Sequence, residues 1–131
     1  YNFKAYGVAN EGGKIYPKRQ YIETFLDASF IFQTKKNEGF GHIIHNAMCL
    51  GRPPVIYEED YKDKIAGRLL KDKQTCLFIE PDMRKTIEKI IYYSKPENLS
   101  YLSSNARAIF EKEVNFDKEF IEVKKFFEEL I

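Results

Sequence analysis

Short runs of apolar residues alternate with longer amphipathic segments along the chain. β-branched and aromatic residues are frequent in the short runs, and turn-forming residues bound them, so we predict strands over residues 1–8, 29–34, 54–57 and 75–79. The segments between these strands have the length and composition of helices. Because strands that alternate with helices usually pair in parallel, the pattern predicts an α/β fold with a mainly parallel sheet.

Two of the intervening helices have recognisable ends. The first, over 17–26, follows an Asn-Glu-Gly-Gly stretch with turn chemistry. The second, over 42–50, stops at Gly51 with a pair of prolines beyond it, which is the pattern of a glycine C-cap followed by a helix stop. Residues 61–70 are expected to form a further short helix before the last strand.

The C-terminal part of the chain, 83–131, is expected to be entirely helical. Apolar residues recur there at steps of three and four, as on one face of a helix. The three stripes are Ile87, Ile90 and Ile91; Leu99, Leu102, Ala106, Ile109 and Phe110; and Phe116, Phe120, Val123, Phe127 and Leu130. The 131 residues are expected to form one domain, whose core would remove roughly two thirds of the unfolded surface from water.

The charge balance excludes two classes of partner. Twenty-one basic and 20 acidic residues give a formal net charge of +1, and no basic run is interleaved with aromatic residues. Such a chain has no field that would attract nucleic acid or an anionic membrane. No apolar stretch approaches the roughly 20 residues that span a bilayer, so we predict no transmembrane segment.

The cysteines and histidines give no pattern of a metal site. Cys49 and Cys76 are far apart in apolar-flanked segments, so we expect buried free thiols in a reducing compartment, and a cytoplasmic location is the working hypothesis. The only histidines, His42 and His45, have a spacing that could place both near one helix face. No third ligand follows at a suitable spacing, so no metal is predicted.

A glycine-rich turn between the strand over 29–34 and the helix over 42–50 is the most informative motif. It consists of Glu38, Gly39, Phe40 and Gly41, directly before the helix. Backbone N–H groups and the positive end of the helix dipole then face outward together, which favours an anionic ligand. A second interpretation stays open, because parallel α/β domains also use glycine for tight turns that bind nothing.

This motif resembles the donor-sugar motif of GT-B glycosyltransferases, particularly the family 4 group, and the resemblance covers most of the chain. It implies a Rossmann-like three-layer domain that forms half of a GT-B fold. Glu38 would accept hydrogen bonds from donor-sugar hydroxyls, and the backbone from Gly39 through Phe40 and Gly41 to His42 would approach the diphosphate. In the family a second acid binds the ribose, and here that position is Asn46, an amide without charge.

Several side chains around the motif are further candidates. Lys35 and Lys36 follow a predicted strand at the sheet edge where α/β proteins bind ligands, and either could pair with a phosphate or stay solvated. His42 could donate to a phosphate or sugar oxygen, whereas His45 is expected to pack within the fold. Arg52 is expected to complement the C-terminal end of the helix over 42–50.

The loop after the strand over 54–57 is rich in acids. Glu58, Glu59 and Asp60 are expected to be solvated, because nothing in the sequence provides them with a buried partner. Tyr61 or Lys64 could contribute to a sugar pocket, since the loop follows a strand at the same sheet edge.

The resemblance implies transfer of a sugar from a nucleotide diphosphate carrier to an acceptor hydroxyl, with retention of anomeric configuration. The nucleotide sugar would be a substrate, and no cofactor is expected. A second domain, expected to precede this one and to have no counterpart here, would bind a glycan or lipid-linked glycan acceptor, and it could place the protein at a membrane surface. The chain is therefore expected to be a fragment, inactive alone, with unidentified catalytic residues. The alternative is a noncatalytic Rossmann-like binding or interaction module.

Overall fold

The computed structural model describes residue 4, residues 18–36 and residues 41–130. Apart from residue 4, the strand predicted over 1–8 lies outside these residues. The elements, in chain order, are α1 (Lys18–Asp27), β1 (Ile31–Gln33), α2 (His42–Cys49), β2 (Pro54–Ile56), two 3-10 helices (Glu58–Asp60 and Ile65–Leu69), β3 (Leu77–Phe78), α3 (Met83–Tyr93), α4 (Pro96–Glu113) and α5 (Phe116–Glu129).

The three described strands form one parallel sheet in the order β1-β2-β3. In the register, Phe32 is level with Val55, and Val55 is level with Leu77. The predicted α/β class with a parallel sheet and C-terminal helices is therefore confirmed, although each strand is shorter than its predicted range. The short helix expected over 61–70 is instead a 3-10 helix over Ile65–Leu69 that follows an extended Lys64.

Side chains on both faces of the sheet are buried. On one face Ile56 packs in a cluster with Ile44 and Met48 of α2 and with Ala106 of α4. On the other face the neighbouring residue, Val55, packs with Leu77 and Leu102. Side chains of α3 pack against this second cluster. Successive strand residues point to opposite faces, so helices cover the sheet on two sides, as the α/β layer architecture requires.

Helix α3 is rotated relative to the prediction. Ile87 and Ile91 of the expected apolar stripe are 51% and 48% exposed, and only Ile90 packs on the core. Thr86 and Lys89 are buried in their place. Polar contacts fix this rotation, because the Thr86 hydroxyl accepts a 2.8 Å hydrogen bond from the backbone after β3 and Lys89 bonds to nearby carboxylates.

The stripe predicted for α4 is confirmed, since Leu102 and Ala106 are buried and Ile109 and Phe110 pack against the core. The stripe predicted for the last helix forms on α5 but stays at the surface. Its five members are 54% to 71% exposed: Phe116, Phe120, Val123, Phe127 and Leu130. Helix α5 thus has the predicted periodicity without burial among the described residues.

The end of α2 confirms one expectation and corrects another. Gly51 has a φ of 65°, the left-handed conformation expected of a glycine after a helix. Arg52, expected to complement α2, instead donates from Nη2 to the carbonyl oxygen of Leu26 in the last turn of α1, at 2.7 Å. The final carbonyls of α1 also lack intrahelical partners, so the guanidinium stabilises that helix end.

The two free thiols differ in environment. Cys76 is buried as expected, and burial raises its pKa to about 12. Cys49 is exposed, so the expectation that it is buried was wrong. The core face of α2 consists of Ile44, Ala47 and Met48, and the next position along the helix turns away from that face.

Candidate functional site

The first turn of α2 lies at the carboxyl edge of the sheet. The chain leaves β1 after Gln33, enters α2 at His42 and returns to begin β2 at Pro54 in parallel with β1. The backbone N–H of His45 donates to the carbonyl oxygen of Gly41 at 3.1 Å. The N–H groups of Ile43 and Ile44, in the first turn before it, have no acceptor within an α-helix and point along its axis. Together with the helix dipole they suit an anion.

The N-cap of α2 requires glycine. Gly41 is buried and has a φ of 77°, which L side chains rarely adopt. A Cβ at this position would be 3.1 Å from the Cβ of Ala66 and 3.7 Å from the ring of Tyr61. The second 3-10 helix and the loop before it therefore pack directly against the start of α2, and they fix the position of its N-terminus.

Two predicted site residues lie exposed around this helix start. Lys35 follows β1 directly, and its backbone N–H donates to the side-chain oxygen of Gln33 at 3.4 Å. His42 is the first residue of α2 and is also exposed. The strand end and the helix start thus place both side chains at the same sheet edge. The remaining predicted turn residues, 38–40, lie outside the described residues.

Asn46 is held by a neighbouring helix. It is exposed on α2, one turn after His42, and its Nδ2 donates to the Tyr21 hydroxyl of α1 at 3.2 Å. Tyr21 in turn packs against the buried Phe25, with the ring centroids 4.7 Å apart and the rings tilted by 44°. This contact fixes the orientation of the amide and directs its N–H side toward α1.

His45 packs within the fold, as predicted. Its Nδ1 lies 2.9 Å from the carbonyl oxygen of Gly41, and its ring meets the edge of Phe110 at 6.3 Å between centroids. With the proton on Nδ1, the ring donates to this carbonyl group and supports the N-cap of α2. His45 therefore stabilises the conformation of Gly41 from within the fold.

The loop after β2 divides into exposed and buried parts. Glu58 and Glu59 are exposed, as expected for solvated acids. Tyr61, in contrast, is only 1% exposed and forms a wall of the Gly41 turn, with the Lys64 ammonium 5.1 Å from its ring centroid. The sequence singled out this tyrosine only as a possible pocket residue, because no periodic pattern in a loop signals burial.

A buried ion cluster beyond β3 was not predicted. The ammonium of Lys89, whose side chain is 6% exposed, donates to both carboxylate oxygens of Asp72 at 3.0 and 3.2 Å, to Glu80 at 2.6 Å and to the Phe78 carbonyl at 2.9 Å. Burial lowers the pKa of Lys89, but the hydrogen bonds to Glu80 and Asp72 outweigh it, so the net shift is upward. The same hydrogen bond lowers the pKa of Glu80.

Metal-ligand clusters and membrane-spanning helices are both absent from the described residues. In residues 18–36 and 41–130, and at residue 4, no three His, Cys, Asp or Glu side chains are grouped as metal ligands would be. No helix in the described part of the chain is both long and apolar enough to cross a membrane.

Comparison with known proteins identifies the fold. No family model and no curated protein matches the sequence. Two solved structures of HepE from Anabaena match the backbone. The complex with UDP-glucose gives a TM-score of 0.69 at 18% identity, and the complex with UDP gives 0.67 at 19%. Each match covers 89% of this chain and 31% of the HepE chain, so this chain spans under a third of HepE. The likeness shows a Rossmann-like α/β fold of the kind that forms half of a GT-B protein.

Proposed function

We propose that this chain is the donor-binding part of a glycosyltransferase and binds a nucleotide diphosphate sugar. The observation that carries this proposal is the N-terminus of α2, capped by a left-handed Gly41 and located at the carboxyl edge of a parallel sheet. Ligands of open α/β sheets bind at this edge, and a diphosphate suits a helix N-terminus. Solved structures with the same fold are complexes with UDP-glucose and UDP, which supports this ligand class.

The proposed roles follow the sequence motif together with the exposed positions of Lys35 and His42. Lys35 and His42 supply donors to the diphosphate, alongside the backbone N–H groups of the first turn of α2. Glu38 accepts hydrogen bonds from sugar hydroxyls. Asn46, whose N–H side faces Tyr21, offers its carbonyl oxygen to a ribose hydroxyl. No metal or further cofactor is part of the proposal.

The reaction belongs to the same proposal. A sugar moves from its diphosphate carrier to an acceptor hydroxyl with retention of configuration, and a second domain of a longer protein binds the acceptor glycan or lipid-linked glycan. Catalysis then depends on positioning the sugar donor next to the acceptor hydroxyl and on stabilising the leaving diphosphate. Backbone N–H donors with a nearby cation stabilise the diphosphate. Polysaccharide biosynthesis in the cytoplasm is the corresponding cellular role, with peripheral contact to the membrane through the second domain.

Replacing Glu38 by alanine is expected to weaken binding of a nucleotide diphosphate sugar at least tenfold. The change removes a charged acceptor of hydroxyl hydrogen bonds and leaves the free nucleoside diphosphate bound with almost unchanged affinity. Calorimetry with UDP-glucose and UDP measures both affinities. Glu97→Ala, which removes an exposed acid at the start of α4, is the control and should change neither. Equal affinity of wild type and Glu38→Ala for UDP-glucose would reject this role.

Replacing Asn46 by glutamate is expected to tighten binding of UDP roughly three- to tenfold. A carboxylate forms hydrogen bonds with hydroxyl groups about twice as strong as those of an amide. Tyr21→Phe removes the hydroxyl that holds the amide and adds no charge, so it serves as the control and should change affinity less than threefold. If Asn46→Glu has the same affinity as wild type, the side chain does not face the ribose.

A noncatalytic binding module is the second candidate. The observation that favours it is the uncharged Asn46 in place of an acid, with its amide bonded to Tyr21. Such a module binds the nucleotide sugar without transferring it. Sugar transfer by the complete protein that contains this sequence, assayed with UDP-glucose as donor, distinguishes an enzyme from a module.

A further inference from the structure

A groove of about 470 Å³ lies along the outer side of α3. It extends from Glu80, after β3, to Lys73, before β3, and Lys85, Glu88 and Tyr92 of α3 form one wall. Helix α3 packs on the sheet face opposite to the one that α2 covers. The groove is thus separate from the proposed donor site, and none of its lining residues belongs to that site. Its volume is in the range of small-molecule sites.

The floor of the groove is rigid. Lys89 lines it, and its ammonium is fixed by Asp72, Glu80 and the Phe78 carbonyl at 2.6 to 3.2 Å. Since these acceptors satisfy the three N–H bonds of the ammonium, Lys89 is a structural part of the floor. A fixed floor lowers the entropic cost of binding a ligand above it.

Two tyrosines provide flat apolar surfaces at one end. Tyr92 is 53% exposed, and the Lys95 ammonium lies over one face of its ring at 5.7 Å from the centroid. Its ring is nearly perpendicular to that of Tyr93, with centroids 5.0 Å apart. The Tyr93 hydroxyl donates to the carbonyl oxygen of Lys73 at 3.3 Å, which anchors the pair to the turn before β3. Aromatic rings with polar tips combine an apolar contact surface with hydrogen bonding.

The charges around the groove balance. Three ammonium groups and two carboxylates line it, and Asp72, bonded to Lys89, supplies a third carboxylate. Neither Lys85 nor Glu88 forms an ion pair with any described residue, so one donor and one acceptor face the groove from the same helix. A net anion or cation has no advantage here, whereas a neutral ligand with many hydroxyls can use both groups.

We propose that this groove is a carbohydrate site for a neutral oligosaccharide, with one sugar ring on Tyr92 and hydroxyls bonded to Glu88 and Lys85. The C–H face of a pyranose ring matches an exposed aromatic ring, and its rim of hydroxyls matches a mixed set of donors and acceptors. Such a site would retain a glycan chain near the protein independently of donor binding.

Two other properties of the groove agree with a binding site. Lys73 has a φ of 61°, the one positive φ of a non-glycine residue in the described ranges, and strained backbone is concentrated at functional sites. Burial raises the pKa of Tyr93, whose hydroxyl bonds to the Lys73 carbonyl beside the groove.

An extended peptide is a poorer occupant. A peptide would bind by pairing with the open edge of β3, but both backbone groups of Phe78 are already bonded. Its N–H donates to Asp72 at 2.7 Å, and its carbonyl accepts from Lys89 at 2.9 Å. The ion pair thus occupies the positions that a peptide backbone would need.

A titration followed by two-dimensional NMR tests this site. The probes are maltotriose, cellotriose, mannotriose and chitotriose, each added to the 131-residue chain. At least one is expected to give saturable shifts at the amides of Lys73, Lys85, Glu88 and Tyr92. Tyr92→Ala should weaken that binding at least tenfold, whereas Tyr101→Ala, which removes a tyrosine of similar exposure on α4, should change it less than twofold.

The carbohydrate site would be overturned if none of the four trisaccharides gave a saturable shift on α3. An equal loss of affinity in Tyr92→Ala and Tyr101→Ala would also overturn it. So would shifts on α3 with inorganic phosphate that exceed those with every sugar. The spectrum of Tyr92→Ala reports directly whether the variant is folded. Glu38→Ala should leave the α3 shifts unchanged, so failure of the donor site and failure of this groove are distinguishable.

Discussion

Replacing Lys89 by methionine is expected to lower the free energy of unfolding by about 2–4 kcal/mol. Methionine fills a similar volume but leaves the Asp72 and Glu80 carboxylates without their cation and the Phe78 carbonyl without its donor. This loss of unfolding free energy should not exceed that usually seen when one partner of a buried ion pair is removed. The Asp72 and Glu80 side chains are 27% and 35% exposed, so water can partly replace the ammonium. Urea unfolding monitored by circular dichroism measures the change.

The control for this variant is Lys112→Met, which removes an exposed lysine of α4 with one long contact to Glu113. It should change the free energy of unfolding by less than about 0.5 kcal/mol. A loss below about 1 kcal/mol in Lys89→Met would show that the cluster stabilises the fold little.

The cluster also makes stability depend on pH. The folded pKa of Glu80 is below its ordinary value of 4.5, so its contribution is present above that value and is lost as pH falls through the folded pKa. The folded pKa of Lys89 is raised, so its contribution is lost only in strong alkali, above its ordinary value of 10.5. Wild type should therefore lose stability more steeply in acid than Lys89→Met does.

Replacing Gly67 by alanine is expected to lower the free energy of unfolding by roughly 2–3 kcal/mol. The added Cβ would overlap the backbone oxygen of Tyr61, and it would lie 3.1 Å from the carbonyl carbon of that residue and 3.4 Å from the Lys62 oxygen. Backbone atoms cannot move aside as a flexible side chain can, so the loop must shift. Because Tyr61 packs against Gly41, the variant should also weaken binding of UDP.

Gly51→Ala separates steric overlap from backbone strain. Gly51 has a φ of 65°, but a Cβ there meets its first neighbour at 3.4 Å, an ordinary contact. Its cost should be about 1–2 kcal/mol, the cost of the left-handed conformation for an L residue. If Gly51→Ala destabilises the chain more than Gly67→Ala in thermal unfolding, steric overlap with Tyr61 is not the larger effect.

Local patterns predicted the elements that local forces determine. The glycine and prolines after α2 marked its end, and the positions of β2 and α2 followed from apolar runs. Helix α3 was different, because its isoleucines suggested one core face while long-range polar contacts selected another. The spacing of Thr86 and Lys89 does mark the observed face, but polar residues at helical spacing ordinarily indicate a solvated surface.

The candidate site likewise combines a feature that local sequence predicted with contacts between distant residues that it did not. Gly41 was predicted because a glycine before a helix has a local conformational reason. The wall that Tyr61 forms beside it joins residues 20 positions apart, and the Tyr21 contact to Asn46 joins residues 25 positions apart. No periodicity encodes such pairings, since they depend on how the crossovers bring separate loops and helices to one sheet edge.

The hydrogen bonds at the outer edge of β3 determine on which side of the sheet a further strand can pair. At Phe78 an ion pair takes the place of a neighbouring strand, so no further strand can pair there without displacing Asp72 and Lys89. In any larger sheet that contains these three strands, additional strands must pair with β1 instead. The ion pair thus makes β3 the terminal strand and protects the sheet from edge-to-edge association between molecules.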